Sequence, residues 1–535
     1  MALANPIEAQ EVLDRTDPTQ EEERADELLP DDVGDPVTLT AEVGPTETLS
    51  GNRYAIGAIV IDGAEIMRPG DFVDIIGDYS ARTNTSVELN ALIDRIVSRV
   101  RERGYVFATA TIRPQSLNTG VLRIDLDEGQ IDEIRIIGDD DRAIRAQLQP
   151  LLDGGPPTLA MVERQVLLAD DVSGVYVRRS RFEREGDKGV LIVETSRSRY
   201  SGAVELENDG SQPIGPLRAR IDFDANGLLT PFDELDVTAV TTPLEPEELQ
   251  YVSARYASIV SSGGTEVALS GSYSATEPGA YLADRDIFGE SWRVELEVSH
   301  PVLRSRDASV WLQGSAEIRD LRQDREGRLA RHDRLTVLRA SLYSIAQLAG
   351  GRMRGKLTFS QGLDVFGATQ EGDPLASRGD APAGFSTLSG WAEWRRDLFG
   401  DFDLEIGGRG QLSTAPLLAT EDIGLGGTRF LRGYNFSERA GDEGIMGYAE
   451  LQYDWVDPFG GIRNAELYIF GDGGVVGNLA DGRGGGSLAS AGGGVRTRIT
   501  RDLDMNIEIA VPLTGPRYDT DNKDPRFNAG LRYNF

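Results

Sequence analysis

From about residue 200 onward the chain alternates apolar and polar side chains with a period of two. "WRVELEVSH" (292–300) sets Trp292, Val294, Leu296 and Val298 against Arg293, Glu295 and Glu297. "TEVALSGSYSA" (265–275) sets Val267, Leu269 and Tyr273 against Glu266, Ser270, Ser272 and Ser274, and "LRARIDFDA" (217–225) and "MNIEIAVPL" (505–513) repeat the pattern. That period belongs to strands with two unlike faces. The segments run nine to eleven residues, the length a tilted strand needs to cross a bilayer. Short turns such as Ser261–Gly264 alternate with long polar stretches such as 370–384 and 477–487. The polar faces fit a wet lumen better than the dry core of a sandwich. Roughly 335 residues at about 20 per strand and connection predict a transmembrane antiparallel β-barrel of about 16 strands over 199–535. Closure removes the edge strands that so long a meander would expose.

The first 200 residues carry a different rhythm. "YAIGAIVIDG" (54–63) reads as a strand, and "TSVELNALIDRIVSRVRERG" as a helix with Leu89, Leu92, Ile93, Ile96, Val97 and Val100 on one face. Gly104 stops it. Strands "YVFATATIRPQ" and "GVLRIDLDEG" follow. The order then recurs: strand 130–138, helices in 141–152 and 158–170, strands "VYVRRSRFE" and "GVLIVETS". Two small α/β domains are expected, at 53–129 and 130–198. The acidic, proline-punctuated segment 1–52 is expected to hold one short helix, 18–29, with Asp17 as N-cap and Pro18 at the first helical position. Ala2-Leu3-Ala4 before Asn5-Pro6 resembles the end of a cleaved secretory signal. Its charged and apolar regions are missing, so the signal is expected to be trimmed or absent.

Composition narrows the function. With 88 acidic against 55 basic residues and a net charge of -33, the chain lacks the basic footprint of nucleic-acid binding. It has no cysteine, hence no disulfide or thiolate site, and its two histidines, His300 and His332, stand alone in charged contexts. A histidine-rich metal site is excluded, and solvated or lumen-facing histidines are expected rather than a Ser-His-Asp triad. No Walker-type loop occurs, so neither nucleotide nor any other cofactor is expected. The apolar runs are too short for a transmembrane helix.

Four stretches, in order, resemble the haemolysin secretion/activation family of two-partner-secretion transporters. "GYVFATATIRPQSLNTGVLRIDLDEGQI" (104–131) is similar to that family's first POTRA domain, and "ENDGSQPIGPLRARIDFDANGLLTPFDEL" (207–235) to its barrel entry. "LGGTRFLRGY" (425–434) resembles the arginine-glycine-aromatic motif of its sixth extracellular loop. "YIFGDGGVV" (468–476) resembles its Phe-x-Asp-x-Gly strand motif. The similarity spans 54–535. Leu431 stands where the family usually has valine. The N-terminal helix is shorter than the family's usual barrel plug, which leaves a plug role for 18–29 open.

The resemblance implies an outer-membrane pore, with POTRA domains in the periplasm, that moves an unfolded secreted exoprotein to the cell surface. It also implies roles for residues. Gly426, Gly427, Arg432, Gly433 and Tyr434 would form a loop latch folded into the barrel, and Phe470, Asp472 and Gly474 its partner on the wall. Arg432 would pair with Asp472, bidentately if geometry allows. Tyr105 and the arginines Arg178, Arg179 and Arg181 are candidate client contacts, by β-augmentation or by steering an acidic client. The alternating Leu531, Tyr533 and Phe535 suit an outer-membrane assembly signal read by the barrel assembly machinery, and the outward faces would meet lipid. Two other readings stay open: an assembly or insertion factor of the same superfamily, and a barrel enzyme or diffusion porin.

Overall fold

The computed structural model describes residues 39–41 and 53–535, save 114, 140, 141, 187, 460, 461, 481 and 483. The expected helix 18–29 and the signal-like Ala2-Leu3-Ala4 lie outside the described residues.

Sixteen antiparallel strands close into a barrel. They are β1 (Tyr200–Glu207), β2 (Arg218–Asn226), β3 (Asp233–Thr241), β4 (Gln250–Ile259), β5 (Glu266–Thr276), β6 (Ile287–Arg304), β7 (Ala308–Arg325) and β8 (Arg328–Leu348). There follow β9 (Gly351–Gly362), β10 (Ser386–Phe399), β11 (Phe402–Ser413), β12 (Glu443–Phe459), β13 (Ile462–Gly477), β14 (Gly486–Arg498), β15 (Leu503–Pro512) and β16 (Arg526–Asn534). Closure is made by β16 on β1, with Leu531 opposite Leu206 and Tyr533 opposite Val204. The two-residue period decides which side meets which medium. Trp292, Val294, Leu296 and Val298 are exposed on the outer wall, whereas Arg293, Glu295 and Glu297 line the lumen. His300 and His332 both fall on the outward-facing register of their strands, at opposite rims. They bond to Thr265 (2.9 Å) and Asp320 (3.1 Å) rather than facing the lumen.

The first α/β unit differs from its expected order. A helix, α1 (Val73–Tyr79), and a strand, Arg82–Asn84, precede the predicted helix, α2 (Ser86–Glu102). Gly77 inside α1 weakens its helical signal. Pro69 opens the 3-10 turn that leads into α1, and the Asp71 carboxylate accepts the Arg68 N–H at 2.8 Å. The expected strand 105–114 shrinks to Thr109–Thr111, because the chain turns at Tyr105–Ala108 and sends Phe107 into the second unit. There it stacks on Phe182 with ring centroids 4.2 Å apart. The "DEGQ" stretch makes this turn possible. Buried Glu128 accepts the N–H groups of Glu65, Ile66 and Met67 at 2.7–2.9 Å, and a Cβ on Gly129 would lie 2.6 Å from the Phe107 Cβ.

In the second unit the sheet order is 39–41, 175–185, 188–197, 133–138, with α3 (Arg142–Leu148) and α4 (Leu159–Asp170) packed on it. This unit is fixed to the barrel rim on the side of the short turns. Arg304 at the end of β6 grips Asp171 with two bonds of 2.7 and 2.9 Å. Arg164 donates to the Pro301 carbonyl at 2.9 Å, and Ile259 of β4 joins the unit's apolar core.

Candidate functional site

The sixth outer loop, 414–442 between β11 and β12, enters the barrel. Its base is a short pairing of Ile423–Leu425 with Arg439–Gly441. Beyond it Gly426 and Gly427 take φ of +108° and +127°, a backbone closed to most side chains, and the loop dips inward. Leu425, Phe430, Leu431 and Tyr434 then pack on Met446, Tyr448, Val476 and Leu488 of the inner wall. The wall thus carries an apolar patch where the loop docks. Leu431, in valine's place, sits at φ +59° and is fully buried in that patch.

Arg432 is buried at the tip, and the expected Asp472 is one of three carboxylates paired with it. Its guanidinium Nη1 reaches Glu450 of β12 at 2.7 Å and Glu508 of β15 at 3.1 Å. Asp472 of β13 is 3.8 Å from Nε, beyond a hydrogen bond. The Asp472 carboxylate instead accepts the main-chain N–H of Arg432 at 3.1 Å and the hydroxyl of Ser490. Ser490 in turn accepts the Gly433 N–H at 3.1 Å. The bidentate pair is therefore replaced by a division of labour. The short aspartate holds the loop's backbone against the wall, and the longer glutamates of neighbouring strands reach the charge.

The guanidinium also lies over a ring. Its carbon is 3.6 Å from the centroid of Phe470, and Arg496 stacks likewise on Tyr468 at 3.9 Å. The rings lie against the wall because β14 offers them glycines. Phe470 pairs with Gly492 and Tyr468 with Gly494, and a Cβ on Gly492 would fall 2.7 Å from the Phe470 ring. Glu450 is directly opposite Phe470 across the other strand seam. Gly433 is needed for close approach, since its Cβ would be 2.8 Å from that of Ser490. A Cβ on Gly474 would strike Leu425 at 2.7 Å, so this glycine makes room for the loop's base. Tyr434, fully buried, donates its hydroxyl toward the carbonyls of Ala489 (3.3 Å) and Gly515 (3.2 Å). Its own carbonyl accepts from Arg526 at 2.8 Å.

The remaining candidates lie apart from this site. Tyr105 packs on the first unit's core. Arg178 and Arg179 are exposed, but Arg181 is held by Glu183 and Glu194, each at 2.6 Å. Its neighbour Arg184 bonds across to Asp127 of the first unit. The outer edge of strand 175–185 is covered over Ser180–Phe182 by Leu39–Ala41 in parallel, whereas among the described residues no strand pairs with the outer edge of Thr109–Thr111. Leu531, Tyr533 and Phe535 point outward at the seam, and the Phe535 ring lies over Gly202.

Between the two ends of the barrel lies a cavity of about 810 Å³. Its lining mixes Glu234, Glu266, Glu295 and Glu297 with Arg255, Arg293 and Lys356. Asp171 and Ser173 of the second α/β unit border it at one end, and Thr420–Asp422 of the sixth loop at the other.

Comparison with known proteins agrees with this architecture. The family model described as haemolysin secretion/activation protein ShlB/FhaC/HecB matches residues 186–497, and that of the ShlB-type POTRA domain matches 54–129. The chain is similar to the outer membrane transporter CdiB of Escherichia coli, at 23% identity over 433 residues, 78% of this chain and 72% of that protein. It is also similar to the heme/hemopexin transporter protein HuxB of Haemophilus influenzae (strain 86-028NP), at 21% over 397 residues, 72% and 69% of the two chains. The solved structure of CdiB from Escherichia coli shares the fold over 100% of both chains, with a TM-score of 0.74 at 19% identity.

Proposed function

Since the chain belongs to the haemolysin secretion/activation family and is an outer-membrane transporter of two-partner secretion, we propose that its sixth loop is the element that keeps the pore competent to pass a partner. The observation that carries this reading is the anchoring of Arg432 between Glu450, Glu508 and the Phe470 ring. A buried ion pair is a weak source of net stability, because desolvation offsets much of its attraction. Its value here is positional. It fixes a loop in the path of the client.

The client is a large secreted exoprotein that arrives unfolded in the periplasm. Both α/β units act there as POTRA domains, spanning 53–129 and 130–198, and the barrel takes up 199–535. The edge at Thr109–Thr111 beside Tyr105, unpaired among the described residues, offers main-chain pairing to an extended client, and exposed Arg178 and Arg179 favour acidic segments. Arg181 is spent on its own glutamates and serves the fold. Outward-facing Leu531, Tyr533 and Phe535 serve insertion by the barrel assembly machinery, and the apolar outer wall then meets lipid. The pore does no chemistry: movement needs neither nucleotide nor cofactor, and folding of the client outside drives it.

Deleting the gene and measuring release of the large exoprotein encoded beside it tests this reading. Loss of release, restored by the intact gene, supports it. Unchanged release, or a general loss of outer-membrane barrels, contradicts it, the latter in favour of an insertion factor.

A further inference from the structure

The anchored tip of the sixth loop is one of two closures. The fifth outer loop, 363–385, forms the other, and it is held by different residues. It starts on the outer end of β8, where Leu363 and Thr369 donate to the Thr336 and Arg334 carbonyls at 2.8 and 3.0 Å. The Ser377 N–H then reaches the buried carboxylate of Asp333 at 2.9 Å. Asp333 belongs to the same face of β8 as lumen-lining Arg339, so the loop turns inward over the mouth. Ala376, Ala381 and Phe385 pack there on Leu335 and Val337 of β8 and on Leu417 and Leu418 of the sixth loop.

The charged grip at the far end of this strap is made by Arg378. Arg378 grips Asp442, at the start of β12, with Nη1 at 2.7 and 2.8 Å from its two oxygens. It also donates to the Leu479 carbonyl at 2.5 Å and to Asn478 at 3.3 Å, both in the seventh loop. Asp442 is fully buried and accepts two further N–H groups, from Leu417 and Leu479, each at 2.7 Å. The Arg378–Asp442 ion pair thus joins the fifth, sixth and seventh loops across the mouth from β8, beside the bond from the Ala419 N–H of the sixth loop to the Ser377 hydroxyl at 3.1 Å. Thr420–Asp422 of the sixth loop line the cavity.

We propose that Arg378 is the clasp of an extracellular gate, separate from the Arg432 anchor, and that a passing client opens the clasp while the anchor stays in place. The inference rests on the chain being a secretion pore. Geometry supports the separation. Arg432 is held by wall strands β12, β13 and β15, deep in the barrel, and these contacts survive without the fifth loop. Arg378 holds loop to loop, and its release would loosen the far end of the strap without touching the wall contacts of Arg432. The sequence hides the clasp, since Arg378 sits in a stretch that reads as polar loop.

Ion conductance of the purified full chain in planar bilayers in potassium chloride tests the gate without any client. Arg378→Ala is expected to raise the time-averaged conductance several-fold, Arg378→Lys to give an intermediate rise, and the protein to keep its heat-modifiable folded form. The absence of native cysteine allows a second arm. An Arg378→Cys/Asn478→Cys pair, joined by a thiol-reactive crosslinker about as long as the lost arginine side chain, should return conductance to the wild-type level or below. Conductance unchanged in Arg378→Ala overturns the proposal, and so does a verified crosslink that leaves the channel open. Release of the exoprotein is read separately, so failure of the secretion reading and failure of the clasp are distinguishable.

Discussion

The guanidinium of Arg432 lies 3.6 Å above the ring of Phe470, and Phe470 rests in turn on the bare backbone of Gly492. A loop, a wall strand and its neighbour are thereby stacked in one column. The column explains why the "FLRGY" tip and the glycine run of β14, which are far apart in sequence, belong to one device.

Gly492 is the part of that column least open to change. A Cβ there would be 2.7 Å from the Phe470 ring and 2.9 Å from the Ala510 Cα. Gly492→Val should push the ring inward, displace Arg432 and reduce secretion about as much as loss of the arginine. Barrel folding, read by heat modifiability on gels, should persist. Phe470→Leu, which removes the ring and keeps the space filled, should cost less.

Asp472 and the glutamates are predicted to behave differently. Asp472→Asn keeps an acceptor for the Arg432 N–H and should retain most secretion. Joint replacement of Glu450 and Glu508 by Gln removes both hydrogen-bonded anionic partners of the guanidinium and should impair it strongly. A swap, Arg432→Asp with Asp472→Arg, should not restore function. It removes the acceptor of the loop's backbone and puts a carboxylate beside Glu450 and Glu508. Recovery in that double variant would show that the Arg432–Asp472 ion pair, 3.8 Å apart here, is what matters.

Glu128 makes a prediction for the first α/β unit. One buried carboxylate serves three main-chain donors, so Glu128→Ala leaves these without their acceptor and should destabilise the unit by about 2–3 kcal/mol. Hydrogen exchange on the full chain checks this. The amides of Glu65–Met67 and of strand Val121–Asp127 should lose protection, while those of the barrel keep theirs.

The α2 helix carries a pH dependence of known sign. Glu88 closes a capping box with Thr85, and the Thr85 N–H and hydroxyl bonds hold its carboxyl below the usual value of 4.5. A depressed acid contributes stability above its unfolded value and loses it as pH falls through the folded one. Acidification below about pH 4.5 should therefore fray the start of α2, and Glu88→Gln should flatten that response. Exchange at Ser86–Leu89 is the readout.

How much of this was legible depended on periodicity. The barrel and its strand number followed from two-residue alternation, because one face had to meet lipid and the other water. The α1 helix was hidden by its internal glycine, and the shortened strand at Thr109–Thr111 by Phe107, whose partner lies 75 residues on. At the site, the motif residues converge as the family resemblance implied, the Arg432–Asp472 ion pair included, but the guanidinium's hydrogen-bonded partners do not follow from it. Glu450 and Glu508 were visible only as polar positions on inward faces, like dozens of others. What singles them out is strand register, which sets Glu450 opposite Phe470 and Glu508 opposite Gly494. Local sequence carries no such information.

The most direct test is release of the partner exoprotein by an Arg432→Ala transporter that is present and folded in the outer membrane. Removing the arginine leaves buried Glu508 without its cation, a loss of about 3–5 kcal/mol to loop docking. The account predicts wild-type amounts of heat-modifiable barrel with release of the exoprotein reduced at least tenfold, on the order of 1.4 kcal/mol in the competent population. Arg432→Lys should recover only part, because an ammonium cannot reach both glutamates and stack on Phe470. Full release by folded Arg432→Ala would contradict the claim that this anchored loop keeps the pore competent.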